Sequence, residues 1–359
     1  MNNIASTEFS IDNKKINNES PCYFIADIAA NHDGKLSRAL KLIRLAAKAG
    51  ADAAKFQHFK AQTIVSKRGF DKIGKITHQS KWKESVSVTY DRASLNREWT
   101  EELCEEAHKY NVGFFTSPYS EYLVDFVEQN VDAYKIGSGD ITYTKIIDQI
   151  SKKGKPVLIA TGAANIDEVK HAMSTLQKNC SDICLMQCNT NYEGVIESAH
   201  FQNLNVLSTF KELYPDVILG LSCHMPAWTS VLGSIAMGAR VIEKHFTDDR
   251  NRKGPDHGFA INPEEWEKMV KETRLLESML GDGVKRVESN EQQTVIVQQR
   301  CLRAKRDLNA NEKITEDVIE ALRPCPKDGI KPSRSEEIIG REIVKPISKG
   351  EHIKLENLI

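Results

Sequence analysis

Short apolar runs alternate with amphipathic segments over residues 22–283 of the chain. The runs are rich in Val, Ile, Phe and Ala, and this alternation is typical of parallel strands joined by crossover helices. Predicted helices, such as residues 37–47, 100–110 and 166–176, carry apolar side chains at three- and four-residue spacing. The predicted strands are residues 23–28, 53–57, 112–116, 133–136, 157–160, 183–187, 217–221 and 241–245. Eight βα units in about 260 residues have the size of a (β/α)8, or TIM, barrel.

An open, doubly wound α/β sheet is the competing architecture. Such a sheet usually has fewer strands and carries a Gly-rich fingerprint after the first one. Here the first predicted strand ends in AANHDG instead. The strand count therefore favours the closed barrel.

Residues 300–359 have a different texture, dense in Lys, Glu, Ile and Pro. Within them, RDLNANEKITEDVI and KPISKGEHIKLENL share the spacing of their apolar and acidic positions. This repeat predicts a compact β module of about 60 residues, with two ordinary hairpins as the alternative. The expected organisation is an N-terminal extension (1–20), a barrel (21–283), a linker (284–299) and the β module (300–359).

Charge and cysteine content narrow the range of partners. The 359 residues include 49 basic and 50 acidic side chains, so no broad field attracts nucleic acid or an anionic membrane. The eight cysteines form no CxxC pair, which argues against a disulfide framework. The polar N-terminus lacks a signal peptide's apolar core, and no stretch approaches the roughly 18 apolar residues of a membrane span. We expect a soluble, reduced, cytoplasmic protein.

Two histidines follow neighbouring strands at the end of the predicted barrel where active sites lie. His224 comes after the seventh strand and His245 ends the eighth, so both imidazoles can face one point. Two His with oxygen ligands suit a divalent Mn, Fe, Co or Zn ion, and Glu243 and Asp256 flank the pair. In the alternative reading, each His bonds only backbone at a strand end.

Two lysines end predicted strands in apolar surroundings, Lys55 in AAKFQ and Lys135 in AYKIGSGD. An unpaired ammonium is costly there, so the pattern predicts a bound anion, with backbone N–H groups near Ser138 approaching its oxygens. The alternative is that Asp27 and Asp140 neutralise the lysines. The segment RNRKGPDHGFA after the last strand is predicted to be a mobile lid or substrate contact.

At these residues the sequence resembles the N-acetylneuraminate (sialic acid) synthase family, which includes the legionaminic and pseudaminic acid synthases. Many motifs in the expected order make the match specific. They span nearly the whole chain: IADIAANHDG, GADAAKFQ, FFTSPYS, AYKIGSGD, IATG, MQCNTNY, GLSCH, VIEKHFTDD, GPDHGF, and RAKRDLNANEKIT leading to ALRP.

The resemblance implies a TIM barrel followed by a small antifreeze-like (SAF, β-clip) domain that is swapped across a homodimer. It implies that His224 and His245 carry the metal, most often Mn²⁺ with Mg²⁺ or Co²⁺ as alternatives. The residues that hold phosphoenolpyruvate by resemblance are Lys55, Lys135, Ser117, Ser138 and Ser222. Those that face the sugar are Gln57, Asp140, Tyr192 and Asp256. Arg323 in ALRP corresponds to an arginine that enters the partner's site.

The activity implied by the resemblance joins phosphoenolpyruvate to an N-acylated amino sugar such as N-acetylmannosamine, giving N-acetylneuraminate or a related sugar acid plus phosphate. Asp27 or Glu243 is the candidate for handling the water or aldehyde proton. A legionaminic or pseudaminic acid synthase acting on a 2,4-diacetamido-trideoxyhexose is one alternative. A 3-deoxy-sugar acid phosphate synthase is another, against which the antifreeze-like tail argues.

Several positions depart from the family's usual residues, and these departures leave open a non-catalytic, degenerate synthase. They also leave open the identity of the acceptor sugar. The departures are Asp27 for Glu, Ala160 for Ser, Gln187 for His, Asn189 and Thr190 in the Cys-Thr-Ser/Asn run, and Cys223 for Asp.

Overall fold

The computed structural model describes residues 6–359, which form two compact units, one ending at Gly281 and the other spanning Asp282–Ile359. The strands of the first unit are β1 Glu8–Ile11, β2 Lys14–Asn17, β3 Tyr23–Asp27, β4 Ala53–His58, β5 Gly113–Pro118, β6 Ala133–Ile136, β7 Val157–Ala160, β8 Ile183–Cys188, β9 Ile218–Cys223 and β10 Val241–His245. Its helices are α1 Leu36–Lys48, α2 Ala61–Ile64, α3 Lys67–Ile73, α4 Val86–Ala93, α5 Thr100–Lys109, α6 Glu121–Val127, α7 Thr144–Ser151, α8 Ile166–Leu176, α9 Val206–Leu213, α10 Thr229–Ala236 and α11 Pro263–Leu280.

Strands β3 to β10 close into a parallel barrel in which β10 pairs with β3. The predicted TIM barrel is therefore confirmed. All residues of β3, β9 and β10 are buried, as expected for strands covered by helices outside and by side chains inside the barrel. Helices α8 and α11 start at asparagine capping boxes, Asn165 and Asn262, which fix where the chain leaves each preceding loop.

The N-terminal hairpin of β1 and β2 covers the amino-terminal end of the barrel. Asp12 and Asn13 have φ of 45° and 62°, so they form the two-residue turn that fits the twist of paired strands. Side chains alternate between the two faces of the hairpin, and those of Ile11 and Ile16 are buried in the barrel core. At the rim, Lys14 Nζ bonds Asp52 Oδ1 at 3.0 Å. The sequence analysis assigned no structure to this segment, although EFSI-DN-KKIN carries both the alternation and the turn.

The second unit contains α12 Gln292–Gln298 and the antiparallel pair β11 Cys301–Ala304 and β12 Ile319–Leu322. The two repeated segments pair with each other, because Leu308 and Ile347 exchange backbone hydrogen bonds of 2.9 and 3.0 Å. Equivalent apolar positions of both repeats, such as Ile314 and Ile353, share one core. A small β domain follows the barrel, as predicted. No helix among residues 6–359 is long and apolar enough to cross a membrane.

We predict that Ile11→Ala destabilises the barrel unit by about 2–4 kcal/mol, because it removes a fully buried side chain from the hairpin that seals the barrel end. All four tryptophans lie in this unit, so their fluorescence during urea unfolding reports it. Ser10→Ala, at an exposed position of the same strand, is the control and should change stability by less than about 0.5 kcal/mol. Equal stability of the two variants would mean that the hairpin is not part of the barrel core.

Candidate active site

A cavity of about 350 Å³ opens at the carboxyl ends of the barrel strands. It brings together every predicted site residue of the barrel: Asp27, Lys55, Gln57, Ser117, Lys135, Ser138, Asp140, Tyr192, Ser222, His224, Glu243, His245 and Asp256. Arg323 belongs to the second unit, where its Nε donates to Gln298 O at 2.6 Å. The barrel therefore assembles a single site from residues that are more than two hundred positions apart in the sequence.

Two lysines and two carboxylates form the cavity floor, and none is more than 4% exposed. Lys55 Nζ donates to Asp27 Oδ2, and the strand register places these residues side by side. Lys135 Nζ donates to Glu243 Oε1 at 3.0 Å, and Lys55 Nζ lies 3.6 Å from the same oxygen. In the free protein, acidic side chains thus neutralise the lysines, with Glu243 rather than Asp140 as the partner of Lys135.

This charge cluster shifts the pKa values of the two carboxylates in opposite directions. Burial acts to raise the pKa of Glu243, but the ammonium groups of Lys135 and Lys55 outweigh it and hold the pKa at about 2. Burial raises the pKa of Asp27, and the Lys55 ammonium opposes this shift. Glu243 Oε2 and Ser117 Oγ are buried without a hydrogen-bond partner among the residues that the structure describes. These two atoms are available to a bound ligand.

His224 and His245 lie together at the cavity wall, with ring centres 5.3 Å apart. His224 Nδ1 lies 2.9 Å from Asn189 O, so this nitrogen donates and Nε2 is left as an acceptor. Burial lowers the pKa of both imidazoles to about 3, which keeps them neutral at physiological pH. His245 Nδ1 is buried without a partner among residues 6–359. Two neutral imidazoles in contact fit a divalent transition metal.

A metal bound here would keep open coordination positions. Within the described chain, the sole group of three or more convergent His, Cys, Asp or Glu donors is Asp12, His108 and Asp132. That group lies at the opposite end of the barrel, where Asp132 Oδ2 already bonds His108 Nε2 and Phe114 N at 2.9 and 2.8 Å. We attribute it to the structure of the barrel end. The His224–His245 pair leaves room for water or substrate, as catalytic sites require.

Aromatic side chains between β4 and α5 line the outer part of the cavity, and the sequence analysis missed them. Ring centres of Phe59 and Tyr90 are 5.6 Å apart, and those of His78 and Trp82 are 5.4 Å apart. His78 also contacts Tyr192, at 5.0 Å between ring centres. The available signal was the length of the segment between the predicted strand 53–57 and helix 100–110, because long loops at the carboxyl ends of barrel strands commonly carry function.

The departures from the family pattern lie mostly behind the cavity wall. Asp27 lines the cavity, whereas Ala160, Gln187, Asn189, Thr190 and Cys223 do not. Gln187 Nε2 donates to Gln202 O at 3.0 Å, and Cys223 Sγ lies 3.4 Å from the buried Lys244 Nζ. The lining therefore keeps the charged groups and imidazoles of the predicted site.

The closed barrel with a cavity at the carboxyl ends of its strands, followed by a small β domain, defines a two-unit TIM-barrel protein. The NeuB family matches residues 42–285 and the SAF domain matches residues 299–359. The chain therefore belongs to the NeuB family of nonulosonic acid synthases and carries a C-terminal SAF domain. This confirms the family that the motifs indicated.

Characterised relatives of this chain differ in product. The chain is 33% identical to the N,N'-diacetyllegionaminic acid synthase of Campylobacter jejuni, covering 92% of this chain and 98% of that protein. It is 28% identical to the N-acetylneuraminate-9-phosphate synthase of Mus musculus, covering 96% and 94% of the two chains. The crystal structure of N-acetylneuraminic acid synthetase from Leptospira borgpetersenii matches with a TM-score of 0.70 and 28% identity over 81% of this chain and 96% of that chain.

We predict that Glu243→Gln lowers the free energy of unfolding by about 3–5 kcal/mol, because it leaves the buried lysines with one carboxylate fewer. Urea unfolding monitored by tryptophan fluorescence measures the loss. Glu106→Gln is the matched control: Glu106 is also buried, but its partner Arg44 is half exposed, so the loss should stay below about 1 kcal/mol. Equal losses in the two variants would show that the floor cluster contributes no more than a surface pair.

Proposed function

We propose that this protein condenses phosphoenolpyruvate with an N-acylated amino sugar such as N-acetylmannosamine, giving N-acetylneuraminate or a related nonulosonic acid plus phosphate. The observation that carries the proposal is one cavity in which two buried ammonium groups adjoin two neutral imidazoles. The ammonium groups suit a small polyanion, and the imidazoles suit a metal that can act on a carbonyl. Membership of the NeuB family supports the same reaction.

In this proposal, Lys55 and Lys135 bind the carboxylate and phosphate of phosphoenolpyruvate. Ser117, Ser138 and Ser222 line the same cavity and supply hydroxyl groups to these oxygens. The lysines are already oriented by Asp27 and Glu243, so the anion meets donors that need little rearrangement. Carbon–carbon bond formation is then largely a matter of holding C3 of phosphoenolpyruvate against the sugar aldehyde.

His224 and His245 would hold a divalent ion, Mn²⁺ in the first place with Mg²⁺ or Co²⁺ as alternatives, which supplies Lewis-acid polarisation of the aldehyde. C3 attacks the aldehyde, water adds at C2, and phosphate leaves. Asp27 is the better placed carboxylate for the proton at the aldehyde, since its Oδ2 lies 3.6 Å from His245 Nε2. Glu243 Oε1 is held by Lys135 and by Ser222 Oγ at 3.1 Å, which suits an orienting role.

Gln57, Asp140, Tyr192 and Asp256 would face the sugar. Burial raises the pKa of Asp140 and Asp256 to about 6, so both are mainly ionised at neutral pH and can accept hydrogen bonds from sugar hydroxyl or amide groups. Gln57 Nε2 donates to Asp27 Oδ2 at 3.2 Å, which links the sugar side of the cavity to its floor.

The aromatic outer wall favours a second candidate acceptor, a 2,4-diacetamido-trideoxyhexose of the legionaminic or pseudaminic acid type. Phe59, Ile64, Trp82 and Ala93 offer apolar surface to the outer end of a bound sugar. A methyl or acetyl group buries well there, whereas a hydroxyl group left without a partner costs about 1–3 kcal/mol. A non-catalytic protein is the weakest candidate, because the substitutions that would disable the site lie mostly behind its lining.

We further propose that the protein works as a homodimer in which the SAF domain is swapped and Arg323 enters the partner's site. The guanidinium suits bidentate hydrogen bonds to sugar oxygens, which a lysine could not provide. Arg323 follows β12 of the two-stranded antiparallel sheet in the small second unit, whereas strands β3 to β10 form the barrel.

We expect phosphate release from phosphoenolpyruvate to require both Mn²⁺ and an amino sugar. The panel should contain N-acetylmannosamine, its 6-phosphate and a 2,4-diacetamido-2,4,6-trideoxyhexose, with mass spectrometry identifying the product. Chelation should abolish turnover and Mn²⁺ should restore it, because the imidazoles supply the ligands.

Three variants test the roles of the lysines and of the imidazoles in this reaction. Lys55→Ala and Lys135→Ala should raise the phosphoenolpyruvate requirement at least about a hundredfold, and the His224→Ala/His245→Ala double variant should neither turn over nor bind Mn²⁺. Turnover by the double variant at the wild-type rate would exclude the metal assignment. Absence of phosphate release with every sugar would exclude the synthase proposal.

We predict that two inactive variants, Arg323→Ala and Lys135→Ala, complement each other after subunit exchange. A mixed dimer with swapped domains contains one site in which the barrel lysine and the partner's arginine are both intact, so about half of the activity per mixed dimer should return. Native mass spectrometry verifies that mixed dimers form. If they form and stay inactive, Arg323 does not act across the dimer.

A further inference from the structure

The segment between β10 and α11, residues 246–262, forms one side of the cavity. Asp256 Oδ2 accepts the backbone N–H of Ala30 at 3.0 Å, which fixes this carboxylate against the loop after β3. The ring centre of Phe259 lies 4.7 Å from that of His245 and 5.3 Å from that of Tyr192. The segment thus places one carboxylate and one apolar ring beside the imidazole pair.

His257 lies between these two residues but does not line the cavity. Its side chain is completely buried. Nε2 bonds Asp33 Oδ1 at 2.9 Å, and Nδ1 bonds Thr247 Oγ1 at 2.7 Å. Gly254 permits this arrangement, because a Cβ at that position would lie 2.6 Å from His257 Cδ2. His257 therefore spans from the start of its own segment to the loop after β3.

Asp33, which bonds His257 from the loop after β3, also forms salt bridges with two arginines. Asp33 Oδ2 lies 3.0 Å from Arg38 Nε and 3.1 Å from Arg252 Nε. The buried Arg38 also donates to Asn31 O at 2.7 Å and pairs with Asp248. Arg252 and Asp248 belong to the 246–262 segment, but Arg38, the partner of Asp248, lies in α1. Asn31 of the loop after β3 donates from Nδ2 to Phe246 O at 2.9 Å. The segment is therefore tied to this loop at Phe246, Arg252, Asp256 and His257. Among the other three connections, the imidazole is the closest in sequence to Asp256.

We infer that His257 is a positioning residue for the acceptor sugar, which acts by holding Asp256 and Phe259 in place against the loop after β3. The inference rests on the proposed function for the identity of the acceptor. Because both nitrogens of this imidazole are bonded, the side chain restrains the backbone on either side of residue 257. Since the phosphoenolpyruvate lysines lie on other strands, loss of His257 should affect the two substrates unequally.

The test compares His257→Ala and His257→Gln with the wild-type enzyme and with His108→Ala. The control removes a His–Asp bond of the same length, 2.9 Å, at the opposite end of the barrel. For His257→Ala we expect KM for the amino sugar to rise about tenfold or more while KM for phosphoenolpyruvate stays within about twofold. His257→Gln retains an N–H donor for Asp33 and should recover part of the difference. His108→Ala should change neither constant.

Hydrogen exchange gives a readout that does not depend on turnover. The Ala30 amide is bonded by Asp256, so its protection should fall in His257→Ala, together with that of residues 246–262, and stay unchanged in His108→Ala. Should His257→Ala fail to fold, His257→Gln carries both measurements. Equal rises in both KM values, or unchanged exchange at Ala30, would overturn the inference. If no sugar is turned over, the proposed function fails, and the exchange result alone decides whether His257 positions Asp256.

Discussion

Four buried charges inside a closed barrel are the constraint on which the rest of this structure depends. Lys55, Lys135, Asp27 and Glu243 lie together and are each at most 4% exposed, and removing any one would leave an uncompensated charge. Their pairing requires an accurate barrel, because Lys135 of β6 reaches Glu243 of β10 across its interior. A slip of one residue in either strand would turn the side chain to the helix layer. The register of the strands therefore determines the geometry of the site.

The same cluster explains how a neutral floor can receive an anion. The ammonium groups are paired before any anion binds. Lys55 bonds Asp27, as the alternative in the sequence analysis allowed, and Lys135 bonds Glu243. An incoming phosphate or carboxylate adds acceptors to donors that are already oriented, so little reorganisation opposes binding. Asp27 and Glu243 repel such an anion, and a divalent cation at the adjacent imidazoles would offset this repulsion. We therefore expect a bound metal to increase the affinity for the anion, and a bound anion to increase the affinity for the metal.

The sequence was sufficient for features that repeat locally and insufficient for those that depend on distant contacts. Buried apolar runs revealed all eight barrel strands, and the position of His224 and His245 after consecutive strands predicted their proximity. The partner of Lys135 could not be read in this way, because Glu243 is 108 residues away and on a strand across the barrel. The aromatic outer wall escaped notice because ring contacts between residues such as Phe59 and Tyr90 follow no helical or strand period.

Strand β10 shows how a departure from the family pattern can leave the site intact. Glu243 and His245 face the cavity, while Lys244 between them faces outward and is 1% exposed. Its ammonium donates to Met225 O at 2.6 Å, in the loop that begins at His224, and lies 3.4 Å from Cys223 Sγ. The loop carbonyls thus provide the hydrogen bonds that a buried ammonium needs, and the thiol occupies the remaining side. The Cys223 thiol also accepts the backbone N–H of Met225 at 3.4 Å, so residue 223 and Lys244 together hold the loop that begins at His224. Strand β10 therefore carries the imidazole of His245 into the cavity and, through Lys244 on its other face, fixes the loop that carries the second imidazole.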